Sequence, residues 1–153
     1  FKHGTERYFE KREKGYKKII FFDPAVYLVD KLFEYFEIVK TYGVVAAQDD
    51  NLLCNYCDDI AYNYFGVTRE ESREQKQHLV GGSIYAFDFD LPLCNEVFNK
   101  WEAAERDGIF RVGRMDESAM SLSLYTCGST PTPYDICRYD KVPNPLCEKK
   151  HFK

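Results

Sequence analysis

Aspartates follow apolar runs at three places in this sequence. They are Asp23, the neighbours Asp49 and Asp50, and the pair Asp88 and Asp90. In open α/β sheets ligands bind beyond the carboxyl ends of strands, and carboxylates there can hold a divalent cation that neutralises a diphosphate. The D-x-D formed by Asp88 and Asp90 has a second interpretation. About one such pair is expected by chance, and aspartates also end strands and cap helices.

Another acidic pair, Asp116 and Glu117, stands where a helix is predicted to begin. These carboxylates either cap free amides at the positive end of the helix dipole, or one of them acts as a general base or accepts a hydrogen bond from a substrate hydroxyl. Gly81 and Gly82 precede a strand-like run. There they either form a turn or let the backbone approach a ligand closely. The sequence leaves both alternatives open.

Cysteines are the third group with possible chemistry. The chain contains Cys54, Cys57, Cys94, Cys127, Cys137 and Cys147. An even number permits three disulfides, and the last three lie in a proline-rich tail that resembles a stapled loop. Cys54 and Cys57 form a C-x-x-C, but no second C-x-x-C or H-x-x-x-H completes a zinc site. A redox role needs such a pair at a helix N-terminus, which this position fits only loosely.

The composition is typical of a folded protein with an excess of acidic residues. Its 153 residues suit a single domain, 1–153, and 44% hydrophobic with 30% charged residues is typical of a globular protein. The net charge of −4 argues against a general nucleic-acid binder, which carries a basic face. No apolar run reaches the about 18 residues that cross a bilayer.

Strands and helices are predicted to alternate. Apolar runs predict strands over 18–23, 42–47, 83–88 and, briefly, 109–112. Helical spacing predicts helices over 5–15, 27–39, 51–64, 93–107 and 117–126. Residues 68–77 form a charged segment, and 128–153 an irregular Cys/Pro-rich region. The alternation predicts an α/β fold with a layered, mostly parallel sheet flanked by helices.

The order of these segments resembles GT-A glycosyltransferases, and within them small viral and microbial members of the glycosyltransferase 8-like group. The strand 18–22 and the turn Asp23-Pro-Ala-Val26 resemble the segment with the metal-binding D-x-D, with Ala25 at its second Asp position. Residues 44–50 are similar to the next strand, which ends near the donor. Residues 81–87 resemble the family's N-G-G-V-x-x-F strand, and residues 116–120 its D-Q-x-A-L element beside the acceptor.

The resemblance implies transfer of a sugar from a nucleotide diphosphate to a glycan or protein hydroxyl, with Mn²⁺ or Mg²⁺ as cofactor. The residues it assigns are Asp23 and His151 for the metal, Gly81, Gly82, Ser83, Asp49 and Asp50 for the substrates, and Asp116 and Glu117 for catalysis. The family's upstream nucleotide-binding half has no counterpart in this sequence. Both a secretory or lumenal and a virus-encoded cytoplasmic location are compatible with it.

Two other functions fit the same residues. One is a non-catalytic structural or interaction protein stapled by disulfides, which explains the six cysteines and the many tyrosines. The other is a hydrolase or carbohydrate-binding module whose aromatic side chains stack on sugars. A carbohydrate-binding module predicts glycan binding without any dependence on a nucleotide.

Overall fold

A three-stranded antiparallel sheet is the centre of the fold. The computed structural model describes residues 5–24, 26, 33–111 and 115–133. The strands are β1 (Lys18–Phe22), β2 (Val44–Leu52) and β3 (His78–Asp88). Their order is β1-β3-β2, so β3 is the middle strand and pairs antiparallel with both neighbours.

The prediction of a layered, mostly parallel sheet is therefore wrong. β1 and β2 run in the same direction, because both are antiparallel to β3. The third strand, however, is inserted between them, so that every neighbouring pair is antiparallel. Alternation of strands and helices along the chain cannot show this, because sequential strands are not always neighbours in the sheet.

Helices surround the sheet. Those in the described residues are α1 (Thr5–Glu13), α2 (Phe33–Tyr42), α3 (Asp59–Phe65), α4 (Arg69–Glu74), α5 (Pro92–Arg106) and α6 (Met115–Thr126). None of them is both long enough and apolar enough to span a membrane. The bounds of α5 and α6 confirm the helices predicted over 93–107 and 117–126, with small shifts at their ends.

Two predicted elements differ from the structure. The predicted helix over 51–64 is divided, because β2 extends to Leu52 and a 3-10 turn, Leu53–Asn55, precedes α3. The predicted short strand at 109–112 is instead a 3-10 turn over Ile109–Arg111. Short apolar runs do not distinguish strand from helix by periodicity alone, which explains both errors.

Helix α4 lies in the charged segment, for which no helix was predicted. Its start is a capping box: the Glu71 amide donates to Thr68 Oγ1 at 3.1 Å, and the Thr68 amide donates to Glu71 Oε2 at 2.8 Å. The hydrogen bonds that the Thr68 amide and hydroxyl donate to the Glu71 carboxylate lower the pKa of Glu71. The helix is therefore stabilised by its cap rather than by an apolar stripe.

The main core lies between one face of the sheet and helices α3, α5 and α6. Trp101 of α5 is fully buried at its centre. Its ring lies 5.6 Å from that of Tyr85, 5.7 Å from Phe110 and 6.1 Å from both Phe87 and Phe98, measured between centroids. This aromatic cluster packs α5 against β3.

Helix α2 covers the other face. Val39 is fully buried there against Val45, Ala47 and Ala86, with Ile20 of β1 at the margin. The cluster is small, and its sheet residues alternate along β2 with those that enter the main core. In the described residues, helices thus cover both faces of the sheet.

Candidate functional site

An irregularity in the β2–β3 ladder brings several predicted site residues together. The ladder is regular as far as Ala46, opposite Tyr85, and the next pair joins Gln48 to Val80. A single β2 residue therefore lies opposite residues 81–84 of β3, which we call the glycine bulge. A bulge bends its strand and changes the direction of its groups. Bulges are common beside binding sites, and this one begins with two glycines.

Glu117 lies directly against the glycine bulge. The Gly82 amide donates a hydrogen bond to Glu117 Oε1 at 3.1 Å. A Cβ on residue 82 would lie 2.8 Å from that oxygen, so a side chain fits only if the carboxylate moves. Ser121 holds α6 in this position, because its Oγ accepts from the Val80 amide at 2.9 Å and donates to the Glu117 carbonyl at 2.7 Å.

Asp49 is the second carboxylate at the bulge. Its Oδ2 lies 3.8 Å from the position that a Cβ on Gly81 would take. Its Oδ1 accepts from the amide of Asn51 at 3.0 Å and from its Nδ2 at 2.7 Å, which orients the carboxylate. Asp50, the next residue, is exposed. Asp50 is not among the groups that lie against Gly81 or Gly82.

Asp23 reaches the same region through its backbone. Its amide donates to the Ser83 carbonyl at 2.9 Å, which continues the β1–β3 ladder by one residue. Both residues are half-buried. The end of β1 thus supports the glycine bulge from the side opposite to β2.

Asp116 shares the first turn of α6 with Glu117. Its backbone carbonyl accepts a hydrogen bond from Trp101 Nε1 at 3.1 Å, so the turn is tied to the core. Adjacent helix residues are about 100° apart around the axis, so the side chains of Asp116 and Glu117 leave it in different directions. Of the two predicted catalytic residues, Glu117 is the one hydrogen-bonded to the bulge.

The predicted metal site gains no support from the described residues. Among them, no group of three or more His, Cys, Asp or Glu side chains is arranged to hold a metal ion. Asp23 lies at the bulge, but His151, the other predicted ligand, lies outside the part of the chain that the structure describes.

The D-x-D of Asp88 and Asp90 is a structural feature at the other end of β3. Asp88 is buried, and its Oδ1 accepts from the Asp90 amide at 3.1 Å. Its Oδ2 lies 3.0 Å from Lys18 Nζ, and this hydrogen bond raises the pKa of Lys18. The pair therefore ends the strand and fixes β1 on β3, as the strand-ending interpretation predicts.

The described cysteines do not form the expected disulfides. Cys54, Cys57, Cys94 and Cys127 are free thiols, and Cys137 and Cys147 lie outside the described residues. Four free thiols among six cysteines are not compatible with three disulfides. Burial raises the pKa of Cys57 to about 11 and that of Cys94 to about 12. A redox C-x-x-C needs a lowered thiol pKa, so Cys54 and Cys57 are better explained as core residues.

Thiol titration tests this assignment. In denaturant without reductant we expect at least four thiols per chain to react with a disulfide reagent. In the native protein at pH 8, Cys57 and Cys94 should react slowly, since about one in a thousand of such thiols or fewer is ionised. Fewer than four thiols in denaturant would contradict the free cysteines.

An open surface cavity of about 260 Å³ lies away from the glycine bulge. It is lined by Tyr64, Phe65, Lys100, Ala103 and Thr126. Thr126 and Glu117 are at opposite ends of α6, about 13 Å apart at the helical rise. The cavity is therefore separate from the Glu117 carboxylate at the glycine bulge.

Comparison with known proteins adds no assignment to this geometry. The chain matches no known family, no curated protein and no solved structure. The candidate site is accordingly defined by the glycine bulge and the carboxylates around it.

Several residues that build the site were not singled out from the sequence. Ser118, Ser121 and Ser123 of α6 are buried, although serine is a modest helix former. Tyr125 also joins α6 to β3, because its hydroxyl accepts from the His78 amide at 2.7 Å. Three serines within six helical residues were the available signal, since small side chains allow a helix to approach a strand closely.

Proposed function

We propose that the chain is a glycosyltransferase-like domain that transfers a sugar from a nucleotide diphosphate donor to a hydroxyl acceptor. The observation that carries the proposal is the contact between Glu117 and the glycine bulge, with the Asp49 carboxylate beside the preceding glycine. Two carboxylates from distant parts of the sequence thus each lie against one of two adjacent glycines of β3.

The chemistry of this surface suits a sugar. Carboxylate oxygens accept hydrogen bonds from hydroxyl groups, and a sugar ring presents several such donors. Gly81 and Gly82 have no side chains, so a ring can come close to the backbone there. Asp49 Oδ2, on the side of Gly81, is not the oxygen that Asn51 occupies. This arrangement supports the role that the sequence resemblance implies for the two glycines, which is to line the sugar site.

In the proposed reaction, the bond between the anomeric carbon and the diphosphate oxygen breaks, and the electron pair leaves with the diphosphate. A bond forms between the same carbon and the acceptor oxygen. The acceptor proton goes to a carboxylate, for which Glu117 or Asp116 in the first turn of α6 is the candidate. Asp49 orients the donor sugar by accepting from its hydroxyl groups.

The glycosyltransferase resemblance also implies Mn²⁺ or Mg²⁺. The described residues do not fit a metal centre, because they contain no set of three suitable ligands. We therefore derive no step through a cation. In the proposed site, Asp49 and the glycine bulge bind and orient the donor sugar, and Glu117 or Asp116 accepts the proton of the acceptor hydroxyl.

Thermal unfolding with nucleotide sugars tests the proposal. A ligand that binds only the folded state at about 100 times its Kd adds about 2.7 kcal/mol, which for a chain of this size is about 5–10 °C in Tm. We expect one of UDP-, GDP- or dTDP-sugars to give such a shift. Glu117→Gln should remove most of it, because a neutral amide is a weaker acceptor for sugar hydroxyls.

Glu74→Gln is the matched control, since Glu74 is exposed on α4 and is not among the groups that lie against Gly81 or Gly82. It should leave the ligand shift unchanged. A flat response to every nucleotide sugar, with and without Mn²⁺ or Mg²⁺, would contradict the transferase. An equal shift with the free sugar alone would favour the carbohydrate-binding module.

A further inference from the structure

In the described part of the chain, β1 is an edge strand of the sheet. In the order β1-β3-β2, β1 has a strand partner on one side only among the described residues. All five of its residues are half-buried, although four of them are Ile or Phe. An apolar strand at an unpaired edge can add a strand from another chain.

The register on β3 determines which backbone groups of β1 are left for such a partner. The Asp23 amide donates to the Ser83 carbonyl at 2.9 Å, and the Phe89 amide donates to the Lys17 carbonyl at 2.8 Å. Because bonding alternates along an antiparallel pair, the odd-numbered residues of β1 bond to β3. The residues whose N–H and C=O groups point outward are Lys18, Ile20 and Phe22.

We propose that this edge pairs with β1 of a second copy of this chain. The outward groups are symmetric about Ile20, so a two-fold axis there pairs Lys18 with Phe22 of the partner subunit in a hydrogen-bonded ladder. The two three-stranded sheets then form one continuous sheet. Such an isologous contact closes on itself after two copies.

The side chains are complementary in the same register. Ile19 lies opposite Phe21 of the partner subunit, which gives an apolar pair on the face of the main core. Lys17 lies opposite Asp23 of the partner subunit, which gives opposite charges at both ends of the ladder. Apolar and oppositely charged cross-strand pairs both stabilise antiparallel strands.

Lysines often protect an edge strand against pairing, but those at the start of β1 are turned to their own chain. Lys18 Nζ lies 3.0 Å from Asp88 Oδ2, and Lys17 Nζ lies 3.3 Å from Asp90 Oδ1. Lys17 is still 70% exposed, so it can also face a partner's carboxylate. A strand from a different protein would need the same sequence of charged and apolar residues to pair in this register. A second copy of this chain already has that sequence.

The molar mass in solution tests the proposal. By light scattering or sedimentation we expect a concentration-dependent rise from 18.0 kDa towards twice that mass. Lys17→Glu places two carboxylates opposite each other at both ends of the ladder, and Asp23→Lys places two ammonium groups there. Each variant alone should weaken self-association about tenfold or more, since two pairs become repulsive.

Mixing the two variants restores both pairs, because Glu at position 17 then meets Lys at position 23 and Lys17 meets Asp23. The mixture should recover the dimer, which a folding defect could not do. Arg73→Glu makes the same charge change on exposed α4 and should have no effect. A monomer at every concentration, or variants that associate like the parent chain, would overturn the proposal. The readout is mass, so the result is independent of the proposed glycosyl transfer.

Discussion

We expect Trp101→Ala to lower the free energy of unfolding by about 3–5 kcal/mol. Trp101 is fully buried and its ring contacts those of Tyr85, Phe87, Phe98 and Phe110. Removing it leaves a large cavity between α5 and β3. The substitution also removes the hydrogen bond that Trp101 Nε1 donates to the Asp116 carbonyl, which loosens the first turn of α6.

The measurement is denaturant or thermal unfolding followed by far-UV circular dichroism, because Trp101 is the single tryptophan and the variant loses that fluorescence. For a chain of this size the loss corresponds to about 6–20 °C in Tm. Tyr56→Ala is the control, since Tyr56 is 54% exposed and should cost no more than about 0.5 kcal/mol. A loss below about 1 kcal/mol for Trp101→Ala would contradict this core.

Gly82→Ala should abolish the stabilisation by a nucleotide sugar while the chain stays folded. The new Cβ would lie 2.8 Å from Glu117 Oε1 and 3.5 Å from its Cδ, so the carboxylate must shift away from residue 82. The lost hydrogen bond to the Gly82 amide costs about 1 kcal/mol of stability. If the proposed function holds, ligand binding falls further, because the displaced Glu117 no longer contacts the sugar.

Gly81→Ala is the matched control for the stability of the protein without ligand. A Cβ there meets Asp49 Oδ2 at 3.8 Å, an ordinary contact, so the stability should change by no more than about 0.5 kcal/mol. In a Glu117→Ala background, Gly82→Ala should cause no further loss of stability, since the carboxylate that the new Cβ would meet is absent. Equal effects of the two glycine variants in the parent chain would show that the Glu117 carboxylate does not lie against residue 82.

The sequence was sufficient for elements whose pattern is local. The strand Lys18–Phe22 is a short apolar run stopped by Asp-Pro, and α5 has its apolar residues at helical spacing. It was not sufficient for the order of the strands. That order depends on β3 returning between β1 and β2, and the segment that connects β2 to β3 contains a helix marked only by a capping box.

The site was predictable in residue type but not in arrangement. Asp49, Glu117 and the two glycines were singled out, yet nothing in the sequence indicates that Gly82 and Glu117 share a hydrogen bond. That contact depends on the bulge, whose extra residues appear only when the register of β2 on β3 is known. The cysteine framework failed for a related reason, because an even count says nothing about which thiols are buried.

Thr132 has a consequence for how copies of this chain can assemble. It bridges to the outer side of β2, where its amide donates to the Ala46 carbonyl and its carbonyl accepts from the Gln48 amide, both at 2.8 Å. The middle of that strand is therefore capped by the chain itself. Growth into fibrils requires two free sheet edges per molecule, and in the described part of the chain the middle of the β2 edge is already occupied by Thr132.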